Sequence, residues 1–239
     1  FPASKNSSRP GLAADLHALA VQPDGRILAL ESYNSTRLLR FLPSGDPDPA
    51  FPPQEIGYSQ VVAMQKDGKF LLHDYPRLTR RNADGTPDPS FQFGNRSDLA
   101  IHGVLAGQAG KLLAFGRRLA SLSTLPLIIR FDAEGTMESS FEAMVPPDLI
   151  ARRPYMSKML EAPDGRLIAH LTWSTTPQPP FWTLSDYRIV RFHTDGSADP
   201  SFSAGLNDLG FDELLAIEPD GKILISASDV EGERLVRLR

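Results

Sequence analysis

Apolar residues along this chain fall in short runs, none longer than five or six residues, and each run stops at a cluster of Pro, Asp and Gly. HALAV (17–21), the turn QPDGR (22–26) and ILAL (27–30) show the pattern. Asp-Gly between two short apolar runs is a strong hairpin signal, because glycine accepts the positive φ that the turn demands. Val, Ile, Leu and Phe fill the runs, and no segment sustains a helical period. The prediction is a chain of short antiparallel strands.

The pattern repeats. HALAVQPDGRILAL (17–30) returns as QVVAMQKDGKFLLH (60–73), HGVLAGQAGKLLAF (102–115), SKMLEAPDGRLIAH (157–170) and ELLAIEPDGKILIS (213–226). The turn glycines Gly25, Gly68, Gly110, Gly165 and Gly221 are 43, 42, 55 and 56 residues apart. A second block follows: RFLPSGDPDPAF (40–51), RRNADGTPDPSF (80–91), RFDAEGTMESSF (130–141) and RFHTDGSADPSF (191–202). Within it an arginine always precedes a carboxylate by eight residues (Arg40/Asp48, Arg80/Asp88, Arg130/Glu138, Arg191/Asp199) and a phenylalanine by eleven (Phe51, Phe91, Phe141, Phe202). This constancy predicts an ion pair that pins the third strand to its turn beneath the phenylalanine.

Units of about 42–56 residues carrying three or four antiparallel strands cannot bury both faces alone. The expected fold is all-β: a five-bladed β-propeller forming one domain over 1–239, with repeat cores 17–51, 60–91, 102–141, 157–202 and 213–239. The fifth repeat reaches its second arginine only at Arg237, so the last blade is expected to be completed by the N-terminus, or the array to continue in a longer chain.

QPDGRIL (22–28) with HTDGSADPSF (193–202) resembles the delta-60 repeat, a bacterial β-propeller repeat of uncharacterised function. The third repeat departs from it at Ala109-Gly110 and MESSF. The resemblance implies an exported or cell-surface bacterial protein and assigns no reaction.

Charge and composition narrow the function. A net charge of −4 with mixed signs argues against nucleic acid as partner, and no apolar stretch approaches a membrane span. The absence of cysteine excludes disulfides and thiolate chemistry. The aspartates of the turns suit side-chain hydrogen bonds to their own backbone better than calcium ligation.

Two candidate sites emerge from departures between repeats. Insertions at 117–126 and 172–186 and the long connector 142–155 are expected on one face near the third and fourth blades. They bring Trp173, Phe181, Trp182, Tyr187, Tyr155, Arg152 and Arg153, a composition suited to a glycan or protein partner. Eight residues before each turn glycine stand His17, Gln60, His102, Ser157 and Glu213, a polar ring expected at the mouth of the central channel. His17, His102 and Glu213 could serve acid–base chemistry in a carbohydrate hydrolase or lyase; no cofactor is expected, apart from a divalent ion that these residues could hold. Against that, His73, His170 and His193 read as solitary strand residues. The favoured reading is recognition rather than catalysis.

Overall fold

The computed structural model describes residues 15–32, 35–57, 60–74, 77–93, 98–119, 126–174, 185–202, 210–229 and 232–238. Each repeat folds into its own antiparallel sheet, and the chain divides into two compact units, Phe1–Gly94 and Asn95–Arg239. In the first unit, β1 (Asp15–Val21), β2 (Ile27–Ser32), β3 (Thr36–Phe41) and β4 (Gln54–Glu55) form one sheet in chain order. β5 (Gln60–Met64), β6 (Phe70–Asp74) and β7 (Arg77–Arg81) form the next. The second unit holds three sheets. They are β8 (Leu99–Ala106), β9 (Leu112–Arg118), β10 (Pro126–Phe131) and β11 (Met137–Met144); then β12 (Tyr155–Glu161), β13 (Leu167–Ser174) and β14 (Ser185–Phe192); then β15 (Gly210–Ile217), β16 (Ile223–Asp229) and β17 (Gly232–Leu238).

The hairpin turns form as their chemistry requires. All five turn glycines have positive φ, from 76° to 85°. The carboxylates of Asp24, Asp67, Asp164 and Asp220 each accept the backbone N–H two residues on, at 3.0–3.2 Å. These aspartates are turn residues.

Each sheet buries its faces against its neighbours within a unit. Leu28, Leu30 and Leu38 pack on Phe70 and Leu72 in the first unit. In the second, Phe115, Ile128 and Phe141 pack on Met156, Ala169, Leu171 and Phe192. The opposite face of the β12–β14 sheet, through Ile168 and Ile189, packs on Leu214 and Ile225.

The Arg–carboxylate spacing produces the expected pairs. Arginine Nε donates to Asp48, Asp88, Glu138 and Asp199 at 2.6–2.8 Å. The same guanidinium groups lie 4.2–4.9 Å from the ring centres of Phe51, Phe91, Phe141 and Phe202. The spacing does not disclose a further contact: Nη1 of Arg40 donates to Ala83 O at 2.7 Å and Nη1 of Arg130 to Thr194 O at 3.1 Å, each in the following repeat. The pair therefore ties neighbouring sheets together as well as closing its own turn. A second cation follows every turn glycine, and Arg26, Lys69 and Lys111 of the first three repeats reach the same carboxylates, Asp48, Asp88 and Glu138.

Hydrogen bonds hold these carboxyls well below the usual range. The Ser90 hydroxyl and Lys69 act on Asp88, the Ser201 hydroxyl and Arg191 on Asp199, and Lys111 and Arg130 on Glu138. A carboxyl with a depressed pKa in the fold stabilises it above the unfolded pKa, and that stability is lost as pH falls through the folded value. Urea midpoints are therefore expected to fall steeply below about pH 4. Midpoints unchanged from pH 5 to pH 2 would contradict the clamp.

Candidate functional site

The site is built where the first strand of each repeat loses its regular alternation. A β-bulge interrupts the pairing of β8 with β9 between Ile101 and Gly103, and of β12 with β13 between Met156 and Lys158. His102 and Ser157 are the extra residues. A bulge turns its side chain away from the alternating pattern, as barrel rims and active sites often require.

Those residues meet aromatic partners. The His102 ring stacks on Tyr155 with centroids 4.6 Å apart and planes tilted by 32°. Ser157 Oγ lies 2.6 Å from His170 Nδ1, and the His170 ring meets Tyr187 edge-on at 6.0 Å. Register places Tyr155 opposite Thr172 and Thr172 opposite Tyr187, so three cross-strand neighbours share a face. Tyr155 is 49% exposed and Tyr187 half-buried. The result is a row of rings with hydroxyls among them, at the end of the sheet opposite the Gly165 turn.

One charge pair lies beside the row, and further charges lie on the opposite face of the sheet, with Leu171 and Trp173. Lys158 Nζ donates to Glu213 Oε1 at 2.6 Å, and Arg188 Nη1 to Asp148 Oδ2 at 2.5 Å. Arg152 lies 5.1 Å over the Trp173 ring and 3.9 Å from Asp186, while Arg153 is exposed in a left-handed conformation. Burial pushes the His170 imidazole down to about 4. It is thus neutral near pH 7, and its Nδ1 shares a hydrogen bond with the Ser157 hydroxyl. So weak a base is a poor catalyst for deprotonating serine.

One sequence expectation is corrected. Trp173 is not part of an exposed binding face: it is 8% exposed and belongs to the core with Leu171, Met156 and Phe192. Alternation along β13 explains this, since Ala169, Leu171 and Trp173 share one face while His170 and Thr172 share the other. Phe181 and Trp182 lie outside the described residues, as do the side chains of His17 and Gln60. The backbones of those two pair with Leu30 and His73 in the first unit. In the second unit His102 is engaged by Tyr155 and Glu213 by Lys158. Among the described residues no group of three or more His, Asp or Glu is arranged to hold a metal ion.

Two features escaped the sequence reading. His170, treated as solitary, is the polar partner of Ser157. Glu161 stands four residues before its turn glycine, where the other repeats carry Val21, Met64, Ala106 and Ile217. The signal lay in a single repeat column.

Residues 22–51 and 181–202 match the family described as Domain of unknown function (DUF5122) beta-propeller. Similar solved structures include the calcium-binding protein regucalcin from Agrobacterium tumefaciens, with TM-score 0.52 and 14% identity over 93% of this chain and 73% of that one. Another is a protein of unknown function from Bacteroides caccae, with TM-score 0.51 and 11% identity over 92% and 73%. The fold is that of a β-propeller. Identity at this level carries the architecture and no activity. No curated protein matches the chain. Among the described residues of the propeller, no helix is long and apolar enough to cross a membrane.

Proposed function

We propose that this chain is a non-catalytic recognition module that holds a carbohydrate on the row formed by His102, Tyr155, Thr172 and Tyr187. The observation that carries the reading is the half-exposed Tyr155 ring braced from behind by His102. A braced aromatic face offers a sugar ring a platform for its C–H groups at little entropic cost. Ser157, Thr172 and the Lys158–Glu213 pair supply hydrogen-bonding partners for its hydroxyls. Three strands span about 10 Å, which suits a short oligosaccharide better than the broad patch of a protein partner. Arg152 takes no part in the row, since it lies over Trp173, whose side chain leaves the other face of the sheet.

Five sheets, one per repeat, support a single five-bladed propeller, and the delta-60 resemblance supports action outside the cell or at its surface. Oligosaccharide arrays probed with the wild-type protein and with Tyr155→Ala test the reading. The variant should lose at least roughly 30-fold in affinity, as a central aromatic anchor does. Its melting temperature should stay within about 1 °C, because the ring is half exposed and outside the core. Undiminished binding by Tyr155→Ala, or turnover of the bound sugar, would overturn it.

A further inference from the structure

A cavity of about 300 Å³ opens between the third and fourth repeats, at the turn end of the hairpins, and Lys111, Arg130, Phe141, Glu161 and Leu167 line it. Tyr155 and Glu161 stand at opposite ends of β12, about 20 Å apart along the strand. The cavity is therefore separate from the aromatic row.

Glu161 is the anomaly here. It is the only carboxylate among five equivalent positions, the others being Val21, Met64, Ala106 and Ile217. It is half-buried, and its Oε2 accepts the Gln108 N–H at 2.7 Å. Desolvation raises its pKa, which is what a carboxylate without a close cation should show. Gly107 of the third repeat lies close beside it, where a Cβ would come 2.9 Å from Glu161 Oε2. The equivalent positions in the first two repeats carry Gln22 and Gln65.

Arg130 acts on Glu161 only at a distance, and the close contacts of both cavity cations go elsewhere. Lys111 Nζ and Arg130 Nε are bound to Glu138, and Arg130 Nη1 donates to Thr194 O. Ammonium protons of Lys111 and the Nη2 group of Arg130 are left over. The cavity thus offers a carboxylate seeking a cation, cationic donors seeking an anion, and apolar surface from Leu113, Phe141 and Leu167.

We propose that this cavity binds a free α-amino acid with an apolar side chain, its ammonium on Glu161, its carboxylate on Lys111 and Arg130, and its side chain against Phe141 and Leu167. Both charges of the ligand meet complementary groups, and the paired Glu138 keeps the cationic side from repelling the ammonium.

Calorimetric titration with L-leucine and L-phenylalanine tests this on the full chain, with N-acetyl-L-leucine and isoamylamine as probes lacking one charge each. At least one amino acid should bind, and each single-charge probe should bind at least 10-fold more weakly. Glu161→Gln retains an acceptor for the Gln108 N–H and should weaken binding at least 10-fold with the melting temperature held. Lys111→Met provides a second variant with the same expectation should the first fold poorly. No binding of either amino acid, N-acetyl-L-leucine binding as tightly as L-leucine, or wild-type affinity in a folded variant would overturn the proposal.

Discussion

Trp173→Ala is expected to destabilise the protein by about 3–5 kcal/mol, the usual cost of emptying a large aromatic site in a core. In a chain of this size that corresponds to a fall of roughly 10 °C in melting temperature. The reason lies in where β13 sends its side chains. Ala169, Leu171 and Trp173 point together into the cluster shared with Phe115, Phe141 and Phe192, and these rings cannot all close on the void. Arg152, which lies over the indole, would lose its platform in the same step. Calorimetry on Trp173→Ala and Tyr155→Ala separates core from surface, because the first should move the transition and the second should not. An unchanged transition in Trp173→Ala would return that tryptophan to the surface.

Gly116→Ala should be nearly as damaging, for a different reason. Gly116 lies opposite Ile101 across the β8–β9 pair, immediately beside the bulge at His102. A Cβ there would lie 2.0 Å from the carbonyl oxygen of Ala100. Backbone cannot retreat from that contact without opening the strand pair, so the cost should reach the upper end of overpacking, about 3 kcal/mol. Gly103, on the other side of the bulge, leaves the room that the Phe115 ring fills. The two glycines thus shape the bulge that aims His102 at Tyr155. Gly116→Ala should therefore lower both the melting temperature and glycan affinity, whereas Tyr155→Ala lowers affinity alone. Gly116→Ala with wild-type stability would show that the strands do not approach so closely.

The scaffold was legible because it is written several times over. Turn aspartates, turn glycines and the Arg–carboxylate–Phe spacing recur, and each recurrence removes an ambiguity that one copy would leave. The site was harder to read because it depends on what does not recur. Comparison of the repeats puts Trp173 within the 172–186 insertion, yet the Ala169–Leu171–Trp173 alternation assigns it to a buried face. His102 and Ser157 were found by their column, but their contacts with Tyr155 and His170 follow from bulges that leave no mark in polarity. Glu161 had a signal as clear as any, a charge in an otherwise apolar column. The recurring polar column of that strand stands at its beginning, whereas Glu161 stands at its end.

A division of labour follows. In the first and third repeats a guanidinium serves a carboxylate, a ring and a carbonyl of the following sheet at once. Residues peculiar to the third and fourth repeats then supply the aromatic row and the charged cavity. The scaffold can carry such departures because neither site uses the repeat columns that hold consecutive sheets together, apart from the Arg130–Glu138 clamp at the cavity wall.

The proposed function stands on a sugar seated on the Tyr155–Tyr187 row. A crystal structure of the full chain soaked with the strongest-binding array oligosaccharide tests it most directly. The expected result is a sugar ring lying flat on Tyr155, with hydroxyls reaching Thr172, Ser157 or the Lys158–Glu213 pair. A sugar seated elsewhere, with Tyr155 untouched, would contradict it.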